Sequence, residues 1–336
     1  MPNFSLTLSF SLSLSLIFVS SLVLTGLVRR YALKKSLMDI PNDRSSHVQP
    51  TPRGGGLGFL LAFVVGLLFT SFFPNLPVSP DPFLGLILFP LAAIGFLDDR
   101  YNLPSLARYG VQLGVAVFAV VHYGIFPQPW LTDFGTIGII FAGLLTVIGF
   151  TALINFYNFM DGLDGIVASV TALQLSFIAL YLNQPIWWLL IVALLGFLWW
   201  NWSPAKVFMG DVGSTVLGAS IAIALIKTNN VTLGWSSLAI TLPITADTIY
   251  TLFIRLGRRE NIFQAHRLHI FQRLQQSGWS HPQVALTYSG LTIAIAILTF
   301  MLGAIGAILS LMMTLLAVVI AELYLKNPKV TKPQIS

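Results

Sequence analysis

The sequence predicts an all-α polytopic membrane protein of about eleven transmembrane helices. Three observations carry this. Over 336 residues the chain is 56% hydrophobic and only 9% charged, with a mean hydropathy of +0.82. Its apolar runs approach the ~20 residues that a helix needs to cross hydrocarbon. Runs such as Leu57–Leu68 do not alternate as barrel strands would. Helices remain as the structure that satisfies the backbone in lipid.

The first run, 4–28, is apolar and serine-rich, lacks a basic start and is followed by Arg29 and Arg30. It reads as a retained first helix rather than a cleaved signal peptide. Further runs follow at 54–73, 83–97, 106–124, 136–156, 163–182, 185–200, 212–227, 233–254, 284–304 and 306–325. Counting the gaps between them alternately, every one of the 18 Lys and Arg residues except Lys227 falls in one set. Basic residues stay on the cytoplasmic side, so the N-terminus is expected outside and the C-terminus inside. The other set, 74–82, 125–135, 183–184 and 228–232, is short. The expectation is a single domain, 1–336, working through cytoplasmic loops at about 29–53, 98–105, 156–163, 201–211 and 255–283.

The net charge of +6 is explained by these basic loops, which anionic head groups of bacterial membrane lipids attract. No clustered basic face on a soluble domain is present, so nucleic-acid binding is excluded. Cysteine is absent, which removes disulfides, thiolate metal sites and Cys nucleophiles. A cation-coupled transporter would want acids at the bilayer midplane and an inverted repeat. Here only Asp247 lies inside an apolar run and no repeat is visible. A buried Asp there either functions or makes a structural hydrogen bond to a neighbouring helix.

Five acids stand in the cytoplasmic gaps: Asp98-Asp99, Asp161-Gly-Leu-Asp164 and Asp211 within Phe208-Met-Gly-Asp-Val-Gly-Ser. Acids beside lipid are costly unless a cation or hydrogen bonds compensate them. Adjacent Asp98 and Asp99 suit Mg²⁺, which takes one or two carboxylates plus water and substrate phosphates; a solvated helix cap with Arg100 would look the same. Asp161 and Asp164 are spaced i, i+3, as are Asn155 and Asn158, so each pair shares a helix face. Before the second helix, Pro50-Thr-Pro-Arg53-Gly-Gly-Gly either lets backbone approach a phosphate or simply turns into the membrane. Lys206 is a cation beside Phe208, an aromatic face able to stack a base; Lys206 could equally snorkel among Trp199, Trp200 and Trp202. In the last loop, His266, Arg267 and His269 suit pyrophosphate recognition.

Pro50-Thr-Pro-Arg-Gly-Gly-Gly, Asp98-Asp99, Asn155-x-x-Asn158-x-x-Asp161-Gly-x-Asp164-Gly and Phe208-Met-Gly-Asp211-x-Gly-Ser together resemble the polyprenyl-phosphate N-acetylhexosamine-1-phosphate transferase family. The last loop, His266-Arg-Leu-His269-Ile-Phe-Gln272, looks closer to the WbpL/WecA type than to the MraY type, which carries a histidine run. Asn102 departs from the family, where Lys or Asp often follows the acidic pair.

The resemblance implies a glycosyltransferase family 4 type enzyme of the bacterial cytoplasmic (inner) membrane. It would transfer N-acetylhexosamine-1-phosphate from a UDP-sugar to undecaprenyl phosphate and release UMP. That would be the first membrane step of a cell-surface polysaccharide such as O-antigen; a muramoyl-pentapeptide phosphotransferase is the alternative. It further implies Mg²⁺, with Mn²⁺ as substitute, and a homodimer is compatible with it. Asp211 is then the metal ligand. Asp98 orients or deprotonates the acceptor phosphate, and Asp99 supports it or the metal. Asp161 and Asp164 lie near the nucleotide and metal, Asn155 and Asn158 beside them, and Asn201 and Phe208 at the uracil. His266 and His269 lie at the diphosphate or sugar, Arg267 and Lys206 are further substrate-binding candidates, and Arg53 contacts the lipid phosphate or nucleotide.

Overall fold

The computed structural model describes residues 4–41, 46–47, 49–73, 76, 78, 81–261 and 266–327. The chain is helical almost throughout: α1 (Phe4–Lys34), α2 (Gly56–Ser71), α3 (Pro82–Tyr101), α4 (Ser105–Tyr123), a single turn α5 (Pro129–Thr132), α6 (Gly135–Met160), α7 (Ile166–Tyr181), α8 (Trp187–Asn201) and α9 (Asp211–Ile226). Next, α10 (Val231–Ser237) runs through a 3-10 turn, Leu238–Thr241, into α11 (Leu242–Gly257), followed by α12 (Ile270–Gln276) and α13 (His281–Lys326). The described strands are two-residue pieces, β1 (Met38–Asp39) and β2 (Thr51–Pro52), paired antiparallel in the first loop.

Six of the described helical segments are long and apolar enough to cross a membrane, and α2, α7, α8 and α9 are apolar but shorter. The short ones include the most buried. In α9 every residue from Val212 to Ile226 is buried. A helix enclosed by protein can end early, because neighbours rather than lipid then meet its terminal backbone groups.

The 46-residue α13 would be ~69 Å long if straight, yet its two ends meet. Arg273, just before it, pairs with Glu322 near its end, and Trp279 Nε1 donates to Tyr324 Oη at 3.0 Å. The helix therefore folds back on itself, at Gly303, whose φ of 57° and ψ of −126° are open to glycine alone. Each arm is then about 33 Å, one bilayer's thickness.

Small residues set the distances that matter around α9. A Cβ on Gly95 of α3 would sit 2.6 Å from the backbone of Asp211, and one on Gly218 2.7 Å from Cα of Ile154 in α6. Such contacts bring α3 and α6 backbone-close to α9. The acid-bearing ends of α3 and α6 and the acid-bearing start of α9 consequently share one end of the bundle. At the opposite end Lys227 Nζ lies 2.9 Å from Asp81 Oδ2, which also accepts from Tyr123 Oη at 2.8 Å. Burial opposes ionisation of Asp81, but these donors outweigh it and hold its carboxyl below the usual range.

Candidate active site

The first loop and the 201–211 loop are joined by a short ladder of backbone hydrogen bonds. Phe208 N donates to Pro52 O (2.8 Å), Gly55 N to Phe208 O (2.8 Å) and Gly56 N to Met209 O (2.9 Å). Gly55 and Gly56 therefore serve close packing of protein on protein, while Gly54 has open space beside it. A Cβ on Gly56 would lie 2.6 Å from Cα of Gly213, the third residue of α9. This ladder fixes Phe208 at the wall of a polar cavity of about 300 Å³, lined also by Asp39, His47, Arg53, Asn158, Asp161, Asp164, Asn201, Asp211, Gln272 and His281.

Asp99 lies behind the Asp211 wall, outside the cavity lining. Its Oδ1 accepts from Asp211 N at 3.1 Å and its Oδ2 from Val212 N at 3.4 Å, so it caps the start of α9 from another helix. Gly95, one turn earlier on the same face of α3, makes that approach possible. Arg53 reaches the same carboxylate at 4.0 Å and Asp39 at 3.4 Å. The β1–β2 register, Asp39 opposite Thr51, sets Asp39 beside Arg53. Burial would lower the Arg53 pKa, but Asp99, Asp39, Asp211 and Asp161 around it raise it above the ordinary value.

Arg108, in the first turn of α4, is the cation that sequence reasoning passed over. Its Nη1 is 2.7 Å from Asp98 Oδ2 and 3.1 Å from Asp211 Oδ2. Asp98 Oδ1 accepts from Leu103 N at 2.7 Å, so both oxygens of Asp98 are engaged and it does not line the cavity. Only its spacing from Asp98 across the helix break could have signalled Arg108.

The α6 terminus supplies Asn158, whose Nδ2 donates to Ser214 Oγ at 3.0 Å, and then Asp161. Burial, and then the charges of Asp211 and Asp99, push Asp161 up to about 8. Asn155 faces α4 instead, donating to Gln112 Oε1 at 2.8 Å, and is not among the cavity walls. Asp164 points to His281, Nδ1 to Oδ1 3.2 Å, and accepts from Ala205 N at 3.1 Å. Burial opposes its ionisation, but these partners hold its pKa below the usual carboxylate range. Buried Asn201 ties two loops, accepting from Gly165 N and donating to Val207 O, each at 3.1 Å.

Lys206 turns away from the cavity. Its Nζ lies 5.9 Å from the ring centre of Trp199 and 5.7 Å from that of Trp200. In the last loop, Asp247 is a structural anchor. It accepts from Ile270 N (2.9 Å), Phe271 N (3.1 Å) and Tyr288 Oη (2.6 Å), and stands 3.4 Å from buried His269 Nδ1. His266 stacks on His269, ring centres 4.9 Å apart. Burial, then His269 and Arg255, lower His266 to about 4, leaving it neutral at pH 7. Arg267 Nη2 reaches Gln275 Oε1 at 3.5 Å. Neither these histidines nor Arg267 lines the cavity; Gln272 of the same loop does.

Comparison with known proteins covers the segment that carries these acids. Residues 82–229, from the start of α3 past the end of α9, match the family model "Glycosyl transferase family 4". A Bacillus subtilis protein described as a probable undecaprenyl-phosphate N-acetylglucosaminyl 1-phosphate transferase is 32% identical, over 79% of this chain and 77% of its own length. A decaprenyl-phosphate N-acetylglucosaminephosphotransferase of Mycobacterium tuberculosis is 30% identical over 78% and 74%. A phospho-N-acetylmuramoyl-pentapeptide-transferase of Listeria innocua is 30% identical over 77% and 83%. On identity and coverage of this order, the chain belongs to the polyprenyl-phosphate N-acetylhexosamine-1-phosphate transferase family.

Proposed function

We propose that the protein transfers N-acetylhexosamine-1-phosphate from a UDP-sugar to undecaprenyl phosphate or a similar polyprenyl phosphate. A phosphate oxygen of the lipid attacks the β-phosphorus, the pyrophosphate bond breaks and UMP leaves. One observation carries this reading: the acids at the end of α6 and the start of α9 line a single polar cavity with Arg53 and Phe208, and Asp99 of α3 packs directly behind it on the start of α9. The product would be the first lipid-linked intermediate of a cell-surface polysaccharide such as O-antigen.

The protein side of the chemistry follows from the contacts. Two anions must be brought together, so positive donors matter most. Arg108, held by Asp98, meets the acceptor phosphate, and Arg53, held by Asp39 and Asp99, meets the diphosphate. Asp98 thus orients Arg108. No strong base is needed, since a phosphate monoester with second pKa about 6 is mostly dianionic at pH 7. Phe208 stacks the uracil, with Asn158 and Asp164 along the nucleotide path.

The donor set fits Mg²⁺, or Mn²⁺ in its place. It is all oxygen, and the carboxylates crowd one another: burial first, and then Asp211 and Asp99, raise the Asp161 pKa to about 8. Among the described residues no group of three or more His, Asp or Glu forms a ready cage; Mg²⁺ takes one or two carboxylates and completes its shell with water and substrate phosphate. Asp211 and Asp99 would hold it, and when bound it would supply charge neutralisation at the diphosphate.

An eleven-span topology with this cavity in the cytoplasm fits the fold-back of α13 and the pairing of Lys227 with Asp81 at the other end. The test of function is exchange of labelled UMP into a UDP-sugar by the purified protein. Exchange should require both polyprenyl phosphate and Mg²⁺. A panel of UDP-N-acetylhexosamines and UDP-N-acetylmuramoyl-pentapeptide then identifies the sugar. Lipid-independent exchange, or none with any donor, refutes the assignment.

A further inference from the structure

We propose that His281 is a positioning residue for the nucleotide, bracing two walls of the cavity on either side of Phe208. The proposal rests on the reading that the cavity takes a UDP-sugar. His281 is the first residue of α13, and its helix start is rigid: Ser280 and Gln283 form a reciprocal cap and Pro282 follows. Both ring nitrogens are engaged. Nδ1 stands 3.2 Å from Asp164 Oδ1 and 3.4 Å from the donor Asp164 N, and Nε2 stands 3.3 Å from the carbonyl oxygen of Ser46.

Through the first contact the imidazole fixes the Asp164 carboxylate, whose other oxygen receives Ala205 N from the 201–211 loop. Through the second it holds the backbone that carries His47. The His47 ring meets Phe208 edge-on, ring centres 4.8 Å apart. Its Nε2 lies 3.3 Å from Asp39 O, on the segment that pairs with Arg53. One side chain on a rigid helix end therefore joins α13, the 161–165 turn, the 201–211 loop and the first loop. Asp164, with both oxygens engaged, presents a fixed acceptor edge to the cavity instead of exchanging protons. Among the described contacts none links His281 to Asp98, Asp99, Asp211 or Arg108, the end where the acceptor phosphate would react.

The role predicts a loss of nucleotide affinity with the chemical step spared. In the purified full-length protein, His281→Ala should raise the KM for the UDP-sugar, and the Kd for UMP by calorimetry, about tenfold. Its kcat should stay within about threefold, and the KM for polyprenyl phosphate should not move. His281→Asn, whose amide nitrogen occupies the place of Nδ1, should recover most of that affinity. Asp164→Asn combined with His281→Ala should lose less than the sum of the two single losses, because they share the Asp164 contact while the Ser46 contact belongs to His281 alone. Unchanged UMP affinity in His281→Ala, or equal losses for both substrates, overturns the proposal. Parent protein that neither binds UMP nor turns over a UDP-sugar instead overturns the functional reading beneath it.

Discussion

Asp161 illustrates how a site residue can weaken the protein that carries it. A carboxyl raised from 3.8 to about 8 on folding binds its proton more tightly in the native state. The native state therefore loses stability as pH climbs from about 4, where the unfolded carboxyl ionises, to about 8. Asp161→Asn removes that loss. Without divalent cation, the variant should melt at least about 2 °C above the parent at pH 8.5, and the gap should close toward pH 5. Mg²⁺ should raise the parent and narrow the gap, while transfer by the variant falls at least about a hundredfold. A variant that melts below the parent at pH 8.5 refutes this account. Arg108 sets a single nitrogen, Nη1, between Asp98 and Asp211. Arg108→Lys keeps the charge but loses the other donors of the guanidinium. Its turnover should drop at least about tenfold with the fold intact by melting temperature.

At the scale of elements, close packing places the acids. Gly95 lets α3 touch the first turn of α9, and Asp99 caps that turn one helical turn later. Gly95→Ala must push α3 from a backbone that cannot yield, at a cost of about 1–3 kcal/mol. A lower melting temperature and turnover reduced by about tenfold or more are expected. Full activity would mean that the α3–α9 contact does not set the site. This level was partly legible in sequence. Lipid-length apolar runs and polar gaps mark helices and breaks locally, and the boundary expected between 304 and 306 falls close to the bend at Gly303. What local pattern cannot report is a partner distant in sequence. Arg108, Gln272 and His281 reach the cavity or its acids only because helices far apart in the chain meet. His266 and His269, by contrast, have the chemistry of phosphate ligands, but stacking and Asp247 hold them among themselves. The glycines after Arg53 were open to two readings in sequence, and a distant partner also decides their packing: Gly56 lies against Gly213, and Gly55 against Val207 and Phe208.

For the whole molecule the question is which end faces the cytoplasm and how often the chain crosses. Basic residues crowd the end that carries the cavity, whereas Lys227 at the other end is neutralised by Asp81 and shielded beside Tyr123. A cation already paired adds little to the charge asymmetry that orients a chain. The bend of α13 lies at that same far end, since Gly303 is near the Tyr181 hydroxyl, which meets Ser236 Oγ at 2.9 Å. If each arm of α13 is one span, the bend is at the outer surface; if α13 crossed once, residue 304 would sit in hydrocarbon. The chain has no cysteine, so single cysteines report without background. In intact right-side-out vesicles a membrane-impermeant maleimide should label Asn229→Cys and Ala304→Cys. Arg258→Cys, on the loop between α11 and α12, should react only after permeabilisation. Labelling of Arg258→Cys in intact vesicles would reverse the orientation. Protection of Ala304→Cys under both conditions would remove the second span of α13, and with it the requirement that Glu322 return to meet Arg273 beside the cavity.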